Sequence, residues 1–137
     1  MRTALDTNVI SSIWSAEPTA QDVISKLAMA RLDGALLISP PVFAELHAYP
    51  GATEAFISQF LSVTGIIVDF RLEEAVWVET GRRFALYATR RRLSVPTGPR
   101  RQIADFMIGA HALVQADRIF TLDPKVYTQD FPEIVLY

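Results

Sequence analysis

The 137 residues contain no cysteine, which excludes disulfides and thiolate metal sites and leaves nothing to suggest an oxidising compartment. Histidine is almost as scarce. His47 and His111 fit neither H-E-x-x-H nor any paired spacing, so they read as packed or surface side chains rather than zinc ligands. None of the six glycines builds a G-x-S-x-G elbow or a G-x-x-x-x-G-K-[ST] loop, which argues against a serine hydrolase and a nucleoside triphosphate site. No apolar run approaches the ~20 residues of a membrane span, and the N-terminus lacks the basic flank, apolar stretch and cleavage site of a signal peptide. These absences predict a cytoplasmic protein with no membrane partner.

Half of the residues are hydrophobic, enough for one domain over residues 1–137 that buries roughly two thirds of its unfolded surface. No repeat or linker divides the chain. Short β-rich runs, "RTAL", "ALLIS", "GIIVDF", "RIFT" and "EIVLY", alternate with segments of helical period. Helices are expected at "VISSIW", at residues 19–34 with Thr19 as cap and Gly34 as stop, at "PPVFAELHAYP", at residues 52–64, 71–92 and 100–116, and in a turn or short helix at "DPKVYTQDF". "SVPTGP" reads as a loop. This alternation predicts an α/β fold: a three-layer α/β/α domain with a central, mostly parallel sheet, whose ligands bind beyond the carboxyl ends of the strands.

Charge is unevenly distributed despite a net value of −2. Arg82, Arg83, Arg90, Arg91, Arg92, Arg100 and Arg101 lie in a stretch that holds no Asp or Glu. Such a cluster is either a solvated helix face or a surface for phosphates, which guanidinium forks suit.

Four acids fall where an active edge is expected. Asp6 follows the first strand and Asp123 follows "RIFT"; each is also a natural turn former or cap. Glu45 sits three residues from Val42, on the apolar side of a helix with Leu46 and Tyr49, where a buried carboxylate is costly unless paired or bound to a cation. Asp105 opens the almost wholly apolar "IADFMIGAHALV", where it is suited to the helix dipole, to a cap or to a bridge with Arg101. Carboxylates that converge repel one another unless a cation intervenes, and an all-oxygen set selects magnesium or manganese. Acids for a metal and arginines for phosphate are the components of a nuclease.

The motifs "LDTNVI", "PPVFAEL", "IADFMIGAHAL" and "IFTLD", in this order and spacing, resemble the PIN-domain ribonucleases, and among them the VapC-type toxins of toxin–antitoxin pairs. The resemblance implies a metal-dependent endoribonuclease. It implies that Asp6, Glu45, Asp105 and Asp123 ligate Mg²⁺ or Mn²⁺, and that Thr7, Asn8 and Thr121 support that site. It also implies a homodimer and a cognate small antitoxin, and the arginine segment from Arg82 to Arg101 is expected to hold RNA backbone. An apolar groove lined by Trp14, Phe43, Leu46 and Phe56 is the expected seat for an amphipathic antitoxin segment. Ala104 departs from the family, many of whose members carry Asn before the third acid. Asp117 and Asp130 read as surface loop acids, and Asp69, which ends a strand, as a cap or turn residue. A phospho-acceptor receiver-like domain is a competing reading, with Asp6, Asp69 and Lys125 cast in its site. It lacks the adjacent acidic pair after the first strand and leaves Glu45 and Asp105 unexplained. Whether Asp69 or Asp105 faces Asp6 separates the two. A third reading keeps the PIN-like fold as a non-catalytic module that binds RNA or a partner.

Overall fold

The computed structural model describes residues 1–95 and 98–137; Pro96 and Thr97, in the expected "SVPTGP" loop, lie outside the described residues. Four strands, β1 (Arg2–Leu5), β2 (Ala35–Ile38), β3 (Ile66–Val68) and β4 (Arg118–Phe120), form one sheet in the order β3-β2-β1-β4, every pair parallel. The register sets Ala4 beside Leu37 and Ile119. Apart from their first residues, β1 and β2 are fully buried, as expected for parallel strands covered on both faces.

The helices are α1 (Thr7–Trp14), α2 (Ala20–Asp33), α3 (Pro40–Leu46), α4 (Glu54–Thr64), α5 (Glu74–Leu93), α6 (Ile103–Gln115) and α7 (Pro124–Asp130). Each boundary has a local cause. Pro40 and Pro41 occupy the first turn of α3, where a missing N–H is harmless. Thr53 caps α4 by accepting the Phe56 N–H at 3.1 Å, and Gly65 ends it in the left-handed region at φ 70°, where a Cβ would also overlap the Arg31 guanidinium. Thr19, expected to cap α2, has helical backbone angles and makes no side-chain cap bond, so α2 starts without one. α2 packs on β2, α4 on β3 and α6 on β1 and β4, which completes the expected three-layer α/β/α arrangement. α6 is buried along most of its length, with Phe106 receiving Phe84 and Tyr87 of α5, both at 5.3 Å between ring centroids.

One expected element is absent among the described residues. "EIVLY" is not a strand. Among the described residues it touches the sheet at an isolated parallel bridge between Leu136 and Ile119, where the Ile119 N–H donates to Val135 O and the Tyr137 N–H to Ile119 O, both at 2.9 Å, after turn and bend residues at 132–134. Among the described residues no helix is long and apolar enough to cross a membrane.

Candidate active site

β1 ends at Leu5 and the chain turns directly into α1. Asp6 is therefore held in extended geometry (φ −79°, ψ 155°) at the helix N-cap, its N–H donating to Phe120 O of β4 at 3.0 Å. Its Oδ1 accepts the Thr7 N–H at 2.8 Å. Its Oδ2 accepts from Thr121 Oγ1 and from the Tyr127 hydroxyl, both at 2.8 Å, with Asn8 Nδ2 at 3.4 Å. Asn8 Nδ2 also reaches Thr121 Oγ1 at 3.4 Å, and Asn8 Oδ1 accepts the Leu122 N–H at 3.1 Å. Thr7, Asn8 and Thr121 thus all touch the carboxylate they were expected to support, Thr7 through its backbone. Tyr127 was not foreseen: it lies on α7 with no motif around it, and only the burial of a tyrosine there hints at a partner for its hydroxyl.

Thr7 links this carboxylate to the next acid, its Oγ1 donating to Glu45 Oε1 at 3.3 Å. Val42 and Leu46 are buried as the α3 stripe predicts, but Glu45 is exposed rather than buried and Tyr49 only half-buried. Asp105 occupies the first turn of α6. Its Oδ2 accepts the Gln102 N–H at 3.0 Å in a reciprocal capping box, and the Arg101 Nε stands 3.9 Å away, so the cap and the bridge are both real.

The three acids share one field. Burial pushes the Asp6 carboxyl up; the hydroxyls of Tyr127 and Thr121 and the Thr7 N–H pull it back, and Asp105 adds repulsion. Glu45 is also raised, by desolvation and by the charges of Asp6 and Asp105, against the Thr7 hydroxyl. Among the described residues neither Asp6 nor Glu45 forms an ion pair. Nor do any three His, Cys, Asp or Glu side chains among them close into a compact chelating group. The site is an open set of oxygen donors in which, among the described residues, only Asp105 has a cationic partner, Arg101. That suits a hard divalent ion that binds one or two carboxylates and keeps several waters, and it does not suit a fully protein-caged metal. Asp123 precedes α7 at the same edge, but it is exposed, and only its backbone is tied in, by its N–H to Thr121 Oγ1 at 3.0 Å.

Asp105, not Asp69, is the acid in the field of Asp6, which removes the support for a receiver-like site. Asp69 ties the end of β3 to α6: its Oδ2 accepts from Gln115 Nε2 at 2.7 Å and meets His111 Nε2 at 3.0 Å. Gln115 also receives the Glu73 N–H at 2.9 Å just before α5, so Asp69 holds a turn through another helix rather than as a cap. His111 is the packed histidine expected.

The arginine stretch is less free than its sequence suggests. Arg82 and Arg83 pair with Glu79 at 3.0 and 3.1 Å, and Arg83 with Glu133 at 2.8 Å. Arg90 and Arg101 both bond Asp130. Asp130 is thus a buried anchor and not a surface loop acid, whereas Asp117 is exposed as read. The neutralising acids lie at 79, 130 and 133, outside the stretch; Glu79 is within helical reach of Arg82 and Arg83, whereas Asp130 and Glu133 lie beyond any local reading. Arg91, Arg92 and Arg100 make no ion pair among the described residues; they border a shallow cavity with Phe84 and Tyr87.

The four residues expected to line a groove pack into separate contacts. Leu46 is fully buried, Phe43 packs on His47 and Phe70, and Trp14 packs edge-on against Tyr49, Phe56 and Phe60. An apolar groove of about 550 Å³ runs beside α2 and α4, between Ile13, Ile24, Leu27, Phe60, Val63 and Ile66.

A family model described as "PIN domain" matches residues 3–132. No curated protein sequence matches the chain. Among solved structures, the chain is similar to one of VapBC2 from Rickettsia felis bound to a DNA fragment from its promoter. The TM-score is 0.74 at 17% identity, covering 100% of this chain and 98% of that one. It is similar to one of VapBC-1 from nontypeable Haemophilus influenzae (TM-score 0.65, 22% identity, 100% and 97% covered). A third is FitAcB from Neisseria gonorrhoeae (TM-score 0.65, 19% identity, 98% and 96% covered).

Proposed function

We propose, from the premise that the chain belongs to the PIN-domain family, that it is a metal-dependent endoribonuclease of the VapC toxin type. One observation carries this reading. Asp6, Glu45 and Asp105 lie at the carboxyl edge of a parallel sheet, Asp6 and Glu45 both raised by burial first and by the Asp105 charge in addition, with no ion pair to either among the described residues. These acids would hold Mg²⁺ or Mn²⁺, with Asp123 at the rim as a fourth ligand. When bound, the ion supplies a lowered pKa for a water and neutralises charge on the phosphoryl oxygens.

The chain's own groups do the rest. The Thr7 N–H, Thr121 and Asn8 fix the Asp6 carboxylate, and Thr7 Oγ1 steadies Glu45 beside it. Arg91, Arg92 and Arg100 are the members of the basic segment with charge to spare for an RNA backbone, while Arg82, Arg83, Arg90 and Arg101 serve mainly the fold. Single-stranded or looped RNA, whose phosphates and bases are accessible, is the expected substrate class. One domain over residues 1–137 carries the activity, in the cytoplasm.

A homodimer and a cognate antitoxin complete the proposal. The likeness to VapBC assemblies supports the antitoxin, and the groove between Ile13, Leu27, Phe60 and Val63 suits the apolar face of a short amphipathic segment.

Sequencing RNA ends after brief expression tests the activity. Discrete new ends are expected with the wild-type chain and not with Asp6→Asn. A folded, expressed wild type that produces no new ends overturns the reading.

A further inference from the structure

Three donors converge on a single oxygen of the central carboxylate, and one comes from a helix that no motif marks. Asp6 Oδ2 accepts from the Tyr127 hydroxyl at 2.8 Å, from Thr121 Oγ1 at 2.8 Å and from Asn8 Nδ2 at 3.4 Å. A carboxylate oxygen offers about two lone-pair sites, so the protein itself fills Oδ2. Oδ1 accepts only the Thr7 N–H among the described residues and keeps a site open.

Tyr127 is 3% exposed, in a packed position where phenylalanine would fill nearly the same volume with no polar atom to satisfy. Its hydroxyl has one partner among the described residues, Asp6. The same bond holds α7, and with it the chain that follows Asp123, against the end of β1.

We infer that Tyr127 is a positioning residue: with Thr121 it occupies Oδ2, so that Asp6 presents Oδ1 alone to the divalent ion as a single-oxygen ligand. This rests on the metal-dependent reading above. Partners that orient a ligand in this way typically account for 10–100-fold in metal affinity.

The test is a Mn²⁺ titration followed by the paramagnetic resonance of the free ion, on the wild type and on Tyr127→Phe. Tyr127→Phe is expected to bind Mn²⁺ about 10–100-fold more weakly. Tyr137→Phe, whose hydroxyl donates instead to Lys26 O at 3.1 Å, should bind as the wild type does. Thr121→Val removes the other 2.8 Å donor and should weaken binding in the same direction, which keeps the inference testable if Tyr127→Phe fails to fold. Infrared difference spectra on Mn²⁺ addition add a signature that general loosening does not produce. The carboxylate band lost in Asp6→Asn should show the wide stretch separation of a single-oxygen ligand in the wild type and a narrower one in Tyr127→Phe. Equal Mn²⁺ affinity and an unchanged band in the two proteins overturn this inference alone. A wild type that binds no Mn²⁺ overturns it together with the metal-dependent reading.

Discussion

Replacing Asp130 by alanine isolates the part of the arginine cluster that belongs to the fold. The Asp130 side chain is 2% exposed and accepts from Arg90 and Arg101, while its backbone carbonyl accepts from Arg83 at 2.9 Å and is untouched by the change. The two guanidiniums differ in what they lose. Arg90 is 41% exposed and rehydrates with little loss, as an exposed pair would. Arg101 is 15% exposed and, among the described residues, its Nη2 already lacks a partner, so alanine leaves a largely buried cation with the Asp105 carboxylate 3.9 Å away and the Phe106 ring face at 4.4 Å. Breaking one buried pair from one side costs about 3–5 kcal/mol. Over the 137 residues, an unfolding entropy of roughly 2.1 cal/mol/K per residue makes 1 kcal/mol equivalent to about 3.5 °C, so the midpoint should fall by about 10–17 °C. Asp130→Asn, which keeps one acceptor, should lose about half as much. Circular-dichroism melts of both variants, with Arg101→Met to complete a double-mutant cycle, measure it. A fall of less than about 3 °C, or additive effects of Asp130→Ala and Arg101→Met, refutes the buried-anchor account.

Two further expectations follow from the same geometry. Burial lowers the His111 pKa below its ordinary 6.5 despite the Asp69 carboxylate, so the folded state binds a proton later than the unfolded chain. Its contribution is complete above about pH 6.5, falls as pH drops from there to the folded pKa, and does not change below it. Asp6 and Glu45, raised in the fold, contribute with the opposite sign, so the comparison is between proteins. His111→Gln should be less stable than the wild type but lose less midpoint between pH 7 and 5; parallel curves would rule this out. Replacing Arg91, Arg92 and Arg100 together by Gln should weaken RNA binding and reduce the slope of log affinity against log salt by about 2, at about 0.7 per phosphate contact to a single strand. An unchanged slope would return these three side chains to a solvated face.

The strands and helices were legible because parallel strands buried on both faces read as short apolar runs and amphipathic helices as periodic ones; only "EIVLY", apolar but opened by turn and bend residues and joined to the sheet by a single bridge, misled. Asp6 and Asp105 were legible through position, one directly after a strand and one as a polar break in an apolar helix. Periodicity misplaced Glu45, since a helical stripe marks a direction and not whether another element covers it. Asp130 and Tyr127 were illegible for a shared reason. Each acts on residues 29 to 121 positions away, through a guanidinium or a carboxylate whose approach depends on how α7 docks. Asp69 was placed correctly at a turn, but its partners His111 and Gln115 lie on α6, more than forty residues on.

Cleavage of RNA by purified wild type and Asp105→Asn in Mn²⁺, with a chelated control, tests the central claim most directly. Asn at 105 retains an oxygen to accept the Gln102 N–H, and the relief of repulsion on Asp6 and Glu45 offsets the lost 3.9 Å pair with Arg101, which keeps Asp130, so the metal-free variant should melt close to the wild type. The account predicts cleavage by the wild type, none after chelation and none by the folded variant; cleavage by Asp105→Asn at the wild-type rate contradicts it.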